Sequence, residues 1–228
     1  MRIVVLTGAG ISAESGVATF RDADGLWEGH DVTQVATPEG FAADPDLVQR
    51  FYDERRSSLA TVEPNAAHRA LAHLESADGI ELTVVTQNVD DLHERAGSRN
   101  VIHMHGQLRS AWCLACDERF AWDVPLATNP ACPGCAVPNL RPDIVWFGEI
   151  PYEMERIQQE LLRADVFASI GTSSEVYPAA GFVAIAADAG ARTVELNLRR
   201  SRMSAVFDDV RQGPATKVVS EWVAELTA

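Results

Sequence analysis

The sequence predicts an α/β protein in which a mostly parallel sheet is covered by helices on both faces and is interrupted by one small module. Over most of the 228 residues, short apolar runs typical of buried strands alternate with stretches whose apolar residues recur at helical spacing. One region, from about Gln107 to Arg141, breaks this alternation and contains all four cysteines. We therefore expect one large domain and an inserted module that is stabilised by something other than a core.

Each element is predicted by its own run of sequence. Short apolar runs rich in β-branched residues predict strands that are buried on both faces. These runs are RIVVL (2–6), ELTVVT (81–86), NVIHM (100–104), DVFASIG (165–171) and RTVELN (192–197). Helical spacing predicts helices in LVQRFYDERRSSLA (47–60), PNAAHRALAHLE (64–75), MERIQQELLRA (154–164), AAGFVAIAADAG (179–190) and VVSEWVAEL (218–226). The predicted large domain covers 1–106 and 141–228, with a helical insert at about 37–60, and the predicted module covers 107–140.

The composition limits the possible partners. The net charge is −14, from 19 basic and 33 acidic side chains, which argues against binding to the phosphate backbone of nucleic acids. An acidic surface instead favours a basic, lysine-bearing partner at low salt. No apolar run is long enough for the core of a signal peptide or for a membrane span, so we expect a cytoplasmic protein without a membrane partner.

The cysteines form two matched pairs with the spacing C-x2-C-x15-C-x2-C. This spacing is typical of a structural zinc site, in which two CxxC turns complete a tetrahedron of thiolates. A dithiol redox pair and coincidental buried cysteines are the alternatives, whereas disulfides are not expected in the cytoplasm. A closed four-thiolate site would leave the nearby His103 and His105 available for other chemistry. The expected zinc ligands are Cys113, Cys116, Cys132 and Cys135.

The first predicted strand leads into a glycine-rich turn, VVLTGAGISAESG. Gly8, Gly10 and Ala13 match a Gly-x-Gly-x-x-Ala pattern, whose backbone can approach a pyrophosphate and direct N–H groups at it. Glycine turns also follow buried strands in proteins that bind no nucleotide, so this alternative stays open. The acidic residue that would bind a ribose hydroxyl is not in its usual place, which argues against an ordinary hydride-transfer dehydrogenase.

Seven motifs follow one another across nearly the whole chain. They are GAGISAESGVATFR (8–21), TQNVDDLHERAG (86–97), HMHGQL (103–108), the two CxxC pairs, VWFGE (145–149), GTSSEVYPAA (171–180) and ELNL (195–198). In this order they resemble the sirtuins, a family of NAD-dependent protein lysine deacylases. The resemblance implies a Rossmann-like parallel sheet with helices on both faces, a small zinc-ribbon module with one structural Zn²⁺ per chain, and NAD as a co-substrate.

The resemblance also implies roles for single residues. His105, which precedes Gly106 in HMHGQL, corresponds to the general base, and Asn88 is a second expected catalytic residue. A histidine suits the task because its unperturbed pKa of about 6.5 lets it accept a proton near neutral pH. Buried Asn and Asp are often only structural hydrogen-bonding groups, an alternative that the residues alone leave open. The expected NAD contacts are Gly8, Ala9, Gly10, Ile11, Ser12, Ala13, Thr19, Phe20, Arg21, Trp27, Gln87, Asn88, Val89, Asp90, Gly171, Thr172, Ser173, Asn197, Leu198, Arg199 and Ala215.

The predicted helix 47–60 has Tyr52 and Arg55 at positions i and i+3, on one face. A solvated charged face is the alternative interpretation. One branch of the sirtuins has a Tyr-x-x-Arg pair on this helix that binds the carboxylate of succinyl, malonyl or glutaryl groups, and a guanidinium can hold a carboxylate by two hydrogen bonds. Asp22 and Asp24 lie on either side of Ala23, a further expected residue of the acyl pocket. They depart from that branch and would bring negative charge near such a group. The expected acyl pocket consists of Tyr52, Arg55, Ala23, Val145, Phe147 and Gly148.

The implied reaction consumes NAD. The acyl-lysine carbonyl oxygen attacks the ribose carbon that bears nicotinamide, His105 takes a proton from a ribose hydroxyl, and water completes the release of lysine and O-acyl-ADP-ribose. The expected partners are acylated-lysine proteins or peptides. The alternatives are a plain deacetylase, an NAD-dependent protein ADP-ribosyltransferase, and a non-catalytic NAD-sensing or zinc-dependent binding module.

Overall fold

The computed structural model describes residues 1–17, 26–27 and 29–228 of the chain. The strands are β1 (Arg2–Thr7), β2 (Leu26–Trp27), β3 (His30–Asp31), β4 (Glu81–Thr86), β5 (Val101–His103), β6 (Gly106–Cys113), β7 (Arg119–Ala121), β8 (Leu140–Ile144), β9 (Val166–Ile170), β10 (Arg192–Asn197) and β11 (Asp209–Gln212). The α-helices are α1 (Val32–Val35), α2 (Pro38–Ala43), α3 (Pro45–Ser58), α4 (Ala66–Glu75), α5 (Leu92–Ala96), α6 (Met154–Leu161), α7 (Phe182–Asp188) and α8 (Ala215–Leu226).

Six strands form one large sheet in the order β11-β10-β9-β1-β4-β5, and every neighbouring pair is parallel. From the central β1 the chain adds β4 and β5 on one side and then β9, β10 and β11 on the other. The order therefore reverses beside β1, where the carboxyl ends of β1 and β9 are neighbours. In open parallel sheets such a reversal leaves a crevice in which ligands bind. The predicted Rossmann-like sheet is confirmed.

The side chains of β1 show how both faces of this sheet are buried. Ile3 and Val5 pack into an apolar cluster that contains residues of α4 and α8. Val4 and Leu6 belong to a second cluster, which contains residues of α6 and α7. Because successive side chains of a strand point to opposite faces, an unbroken apolar run requires cover on both faces. The predicted helices on both faces are confirmed.

Helices α1, α2 and α3 precede α4 and pack beside the cleft described below. Helix α3 begins at Pro45, and the Asp44 carboxylate caps it by accepting the Leu47 backbone N–H at 2.9 Å. The buried face of α3 includes Phe51, which shares an apolar cluster with Trp146 of the loop after β8. The same cluster contains Leu108 of β6 and Ile144 of β8, so it joins α3 to these two strands.

The module contains a three-stranded antiparallel sheet in the order β7-β6-β8. The strands of this sheet lie between Gly106 and Ile144. Because Gly106 pairs with Ile144, the end of β8 lies beside the beginning of β6. Gly106 has a φ of +81°, and a Cβ at this position would lie 2.0 Å from the Asp143 carbonyl oxygen. Only glycine fits this crossing. A small cluster that includes Ala111 and Leu126 surrounds the cysteines, in place of an extensive core.

Some elements differ from the sequence-based expectations. The edge strand β11 was not expected, because its four residues, DVRQ, contain one apolar side chain. The helix expected over 179–190 is α-helical over Phe182–Asp188 and is preceded by a 3-10 turn at Ala179–Gly181. Within the ranges that the structure describes, every helix is too short or too polar to cross a bilayer.

Candidate active site

A cleft of about 880 Å³ opens at the carboxyl edge of the large sheet. Its walls include the loops that follow β1, β4, β9 and β10, together with residues of α3 and of the loop after β8. The cleft thus lies at the reversal of strand order, where the topology predicts a ligand. Its size lies within the range of cofactor and small-molecule pockets.

Two glycine turns cross at the centre of the cleft. The Gly10 backbone N–H donates to the Gly171 carbonyl oxygen at 2.8 Å. A Cβ on Gly10 would lie 2.7 Å from Gly171 Cα, and a Cβ on Gly8 would lie 2.9 Å from the Gly171 carbonyl oxygen. Gly171 has a φ of +62°, in the left-handed region that favours glycine. The crossing therefore requires glycines and presents bare backbone to the cleft, which fits the diphosphate of a dinucleotide.

Most of the expected NAD contacts meet in this cleft. Ile11 and Ser12 are instead buried behind its wall. Ala13 is exposed, and Ala215 is buried at the start of α8. The expected contacts that line the cleft are Gly8, Ala9, Gly10, Trp27, Gln87, Asn88, Val89, Asp90, Gly171, Thr172, Ser173, Asn197, Leu198 and Arg199. The expected contacts outside the described residues are Thr19, Phe20 and Arg21.

A buried polar cluster lies at the carboxyl end of β4. The Ser12 hydroxyl donates to Asp90 Oδ2 at 3.0 Å and accepts from Asn88 Nδ2 at 3.2 Å. Asn88 Nδ2 also donates to the Gly8 carbonyl oxygen at 3.2 Å, which ties the turn after β4 to the glycine turn. Burial raises the pKa of Asp90, against the opposing hydrogen bonds from Leu92 and Ser12. The cluster fixes the orientation of the Asn88 and Asp90 side chains that line the cleft.

Two buried histidines, His68 and His93, support this cluster, and no role was predicted for them from the sequence. His68 Nδ1 accepts the Asn65 backbone N–H at 3.3 Å, so Nε2 carries the proton and faces the Ser12 hydroxyl at 3.4 Å. The His93 ring meets His68 edge-on with centroids 4.9 Å apart, and its Nε2 lies 3.1 Å from Thr7 Oγ1. Burial lowers the pKa of His68 to about 4 and the pKa of His93 well below its ordinary value. The capping box that begins α4 is the sequence signal for His68.

The two histidines of the HMHGQL motif have different surroundings. His103 Nε2 lies 2.5 Å from Glu94 Oε1, and its Nδ1 lies 3.4 Å from the Asn88 carbonyl oxygen. His105 Nδ1 lies 3.2 Å from the Gln87 carbonyl oxygen, which can only accept, so Nδ1 carries the proton. Among the described residues, no group hydrogen-bonds His105 Nε2, and the side chain lines the cleft. His105 therefore presents an unprotonated nitrogen to the cleft.

The electrostatics of His105 favour the neutral ring. Burial lowers the pKa of His105, and the hydrogen bond to the Gln87 carbonyl opposes this effect only in part. A neutral imidazole is the form that accepts a proton, so His105 can act as a base at pH 7.

Tyr52 and Arg55 of α3 line the same cleft. The buried Tyr52 hydroxyl accepts the Trp146 indole N–H at 3.0 Å, and burial raises the pKa of Tyr52, so its own proton is retained. The Arg55 guanidinium carbon lies 3.2 Å from the centroid of the Phe51 ring and 5.0 Å from that of Trp27. Arg55 Nη1 donates to the Phe51 carbonyl oxygen at 2.8 Å. Arg55 and Tyr52 therefore bring a guanidinium and a phenol to an aromatic part of the cleft wall.

The loop after β8 is fixed by an ion pair between the buried Arg141 and the partly exposed Glu149. Arg141 donates through Nη1 and Nη2 to the two Glu149 carboxylate oxygens, at 2.7 and 3.0 Å. Glu149 also accepts the Trp146 backbone N–H at 2.8 Å, and the Arg141 guanidinium stacks on the Trp146 ring. The expected acyl-pocket residues of this loop, which all line the cleft, are Val145, Phe147 and Gly148. Ala23, with its neighbours Asp22 and Asp24, lies outside the described residues.

The four cysteine sulfurs of the module converge. They all lie within 4.8 Å of one another, and the Cys113–Cys135 and Cys116–Cys132 sulfurs are each 3.7 Å apart. Four sulfurs bound to one zinc ion at ~2.3 Å would be ~3.8 Å apart at the corners of a tetrahedron. The separations are far too long for a disulfide. The donor set therefore fits one structural zinc ion, as the spacing predicted.

The fold and the cleft together define a class of protein: a Rossmann-like α/β protein with a dinucleotide-type cleft and a four-cysteine zinc module. More narrowly, the chain belongs to the Sir2 family, whose model matches residues 8–178. The predicted membership of the sirtuin family is confirmed.

Individual relatives agree with this assignment. A protein of Pasteurella multocida (strain Pm70) named NAD-dependent protein deacylase is 56% identical over 228 residues, which cover 99% of this chain and 97% of the relative. A protein of the same name from Caulobacter vibrioides (strain ATCC 19089 / CIP 103742 / CB 15) is 53% identical over 232 residues, covering 100% and 98%. A solved Sir2 homolog–NAD complex is similar with a TM-score of 0.90 at 41% identity, covering 99% of this chain and 89% of the other. The predicted activity agrees with the name of these relatives.

Proposed function

We propose that the protein is an NAD-dependent protein lysine deacylase, which transfers acyl groups from lysine side chains and releases nicotinamide and O-acyl-ADP-ribose. The observation that carries the proposal is the unprotonated Nε2 of His105 in the cleft that the glycine crossing and the Asn88–Asp90 cluster also line. A base beside a dinucleotide site is the arrangement needed to activate a sugar hydroxyl.

In this proposal, different residues of the cleft bind different parts of NAD. The glycine crossing of Gly8, Gly10 and Gly171 takes the diphosphate. Asn88 and Asp90, which are fixed from behind by hydrogen bonds, hold the ribose that bears nicotinamide, because amide and carboxylate oxygens accept hydrogen bonds from sugar hydroxyls. When bound, NAD supplies a ribose carbon from which nicotinamide can leave.

His105 is the general base of this site. Its Nδ1–H is held by the Gln87 carbonyl oxygen, which orients the ring and leaves Nε2 to take a proton from a ribose hydroxyl. A purely structural role suits His103 better, because both of its ring nitrogens have hydrogen-bonding partners.

The preferred acyl group carries a terminal carboxylate, as in succinyl or malonyl lysine. Burying a carboxylate without a partner costs about 3–5 kcal/mol, and a guanidinium that binds the carboxylate offsets this cost. Arg55 supplies a positive charge beside the Phe51 and Trp27 rings, and Tyr52 adds one neutral donor. Acetyl-lysine has no carboxylate to bind Arg55 or Tyr52 and is therefore a poorer substrate than succinyl- or malonyl-lysine.

The test is a rate comparison on acetyl-, succinyl- and malonyl-lysine peptides of one sequence, with NAD and with mass analysis of all products. The proposal predicts nicotinamide release, free lysine and O-acyl-ADP-ribose, with the acidic acyl groups preferred. ADP-ribose attached to protein would instead indicate an ADP-ribosyltransferase. The absence of nicotinamide release with any peptide would indicate a binding module.

A further inference from the structure

The charged run DERR of α3 lies mostly inside the protein. Arg55 and Arg56 are buried, Asp53 is partly buried, and only Glu54 of the four is exposed. Arg56 Nη1 lies 2.5 Å from Asp53 Oδ1, and only 4% and 13% of the two side chains are exposed. The proposed function uses Arg55 but not this ion pair. A buried ion pair commonly adds no more stability than apolar side chains of similar volume, but it can fix the position of the elements that it joins.

The Asp53–Arg56 pair binds the backbone of the inserted module. The two Asp53 carboxylate oxygens accept the backbone N–H groups of Leu126 and Ala127, at 2.8 and 2.9 Å. Arg56 Nε donates to the Leu108 carbonyl oxygen at 2.6 Å. The two charges therefore neutralise each other and still have hydrogen-bonding capacity for the module.

A third side chain of α3 extends this attachment toward the cysteines. Gln49 Nε2 donates to the Leu140 carbonyl oxygen at 2.7 Å. The side chains of Leu140 and Leu126, whose backbone groups bind α3, belong to the small cluster that surrounds the four cysteines. Gln49, Asp53 and Arg56, which we call the polar face of α3, thus bind α3 to the centre of the zinc module.

The polar face and the acyl-pocket residues lie side by side on α3. Gln49, Asp53 and Arg56 stand at positions i, i+4 and i+7, so they share one side of the helix. At 3.6 residues per turn, Tyr52 and Arg55 lie about 100° away around the axis, where they line the cleft. Since both sets belong to one helix of 14 residues, a shift of α3 against the module moves both acyl-pocket side chains.

Apolar packing alone would position α3 less exactly. The apolar side of α3, which includes Phe51, packs on Leu108 and Trp146, and such contacts are not directional. The bonds of the polar face instead require a particular distance and direction. A bound carboxylate needs its guanidinium within about 0.5 Å of the correct place, whereas an acetyl group has no carboxylate to align. The position of α3 therefore matters most for an acidic acyl group.

We propose that Asp53 and Arg56 are positioning residues for acyl selectivity, which fix α3 on the zinc module so that Tyr52 and Arg55 meet the carboxylate of the acyl group. Neither residue lines the cleft, so both act through the side chains that do. This inference rests on the proposed function and explains its acyl preference.

A double-mutant cycle tests this inference, with kcat/KM measured on matched succinyl- and acetyl-lysine peptides at saturating NAD. Arg56→Met should lower kcat/KM about tenfold or more for the succinyl peptide and less than about threefold for the acetyl peptide, because only the former needs the exact position of α3. In an Arg55→Met background the same change should lower the succinyl-to-acetyl ratio by less than about threefold, since the guanidinium that it positions is gone.

Two further variants serve as controls. Arg56→Lys keeps the charge and a nitrogen donor and should recover part of the succinyl-to-acetyl ratio. Arg50→Met removes an exposed arginine from the same helix and should leave the ratio unchanged. The Kd for NAD, measured by calorimetry, should stay within about twofold of wild type in every folded variant.

Asp53→Asn decides the question if Arg56→Met does not fold, because it keeps the shape of the side chain and weakens both backbone contacts. It should lower the succinyl-to-acetyl ratio about threefold or more. An equal loss on both peptides in the folded variant would refute the inference and leave the proposed function standing. An undiminished effect of Arg56→Met in the Arg55→Met background would also refute it. If wild type does not prefer the succinyl peptide, the proposed acyl preference fails, and this inference fails with it.

Discussion

Tyr52→Phe is the most informative single change, because it removes one oxygen and keeps the ring. The Tyr52 hydroxyl accepts the Trp146 indole N–H at 3.0 Å, and an indole N–H can only donate. The phenol proton is therefore not used by Trp146, and in the proposed site it is donated to the acyl carboxylate. Burial raises the pKa of Tyr52, so the hydroxyl remains a donor throughout the working pH range.

Two effects of different size follow from this geometry. Loss of a hydrogen bond to a charged group costs about 1.5–3 kcal/mol, which corresponds to ~10–150-fold in kcat/KM for a succinyl-lysine peptide. The acetyl-lysine peptide has no carboxylate, so its kcat/KM should change by less than about threefold. The Trp146 N–H also loses its buried partner, so the free energy of unfolding should fall by about 1–3 kcal/mol.

The assay measures kcat/KM for matched succinyl and acetyl peptides at saturating NAD, and the free energy of unfolding in urea for both proteins. The unfolding data establish that both proteins are folded under the kinetic conditions. An equal loss of activity on the two peptides would show that Tyr52 acts only as a structural support of the cleft. A selective loss on the succinyl peptide without any loss of stability would refute the assigned bond to Trp146.

Three further predictions concern pH, acid stability and zinc. Because burial lowers the pKa of His105, the rise of kcat/KM with pH should have its midpoint below the ordinary histidine value, and an inflection near pH 7.5 would contradict the assignment. The pKa of His68 is about 4 in the folded protein, against its ordinary value of 6.5 in the unfolded chain, so the unfolded chain binds the proton first and the free energy of unfolding falls as pH falls from 6.5 to 4. At about pH 5 this loss is about 2 kcal/mol, which urea unfolding of wild type and His68→Gln should show as a steeper pH dependence in wild type. Cys132→Ser should release the zinc and expose residues 107–140 to protease, whereas retention of one zinc per chain by this variant would refute the four-thiolate site.

Much of the large domain was predictable because its strands are buried on both faces. The run at β1 is apolar without alternation, and the structure explains this pattern by helices on either side. β11 was missed because it is an edge strand whose side chains are only partly buried. Asp209–Gln212 therefore contains only one apolar side chain and lacks the apolar run that predicts a strand. The strands of the module were also missed, because the metal site replaces the apolar pattern that would have marked them.

The candidate site was predictable to the extent that its residues lie in contiguous motifs. Asn88, Asp90 and His105 were expected at the cleft, and the structure brings them together there. The supporting residues were missed because their partners are distant in sequence: His68 faces Ser12 across 56 positions, and Trp146 reaches Tyr52 across 94. A helical pattern indicates that such a side chain is buried but does not identify its partner.

If His105 is the base of an NAD-dependent deacylase, its removal should abolish turnover, and His103→Ala is the matched control. Turnover of a succinyl-lysine peptide and the Kd for NAD should be measured for wild type, His105→Ala and His103→Ala. We expect His105→Ala to retain NAD binding and to lose ~10²–10⁴-fold in kcat, whereas His103→Ala should keep most of its turnover. Near-normal turnover in His105→Ala, or an equal loss in both variants, would show that His105 is not the base.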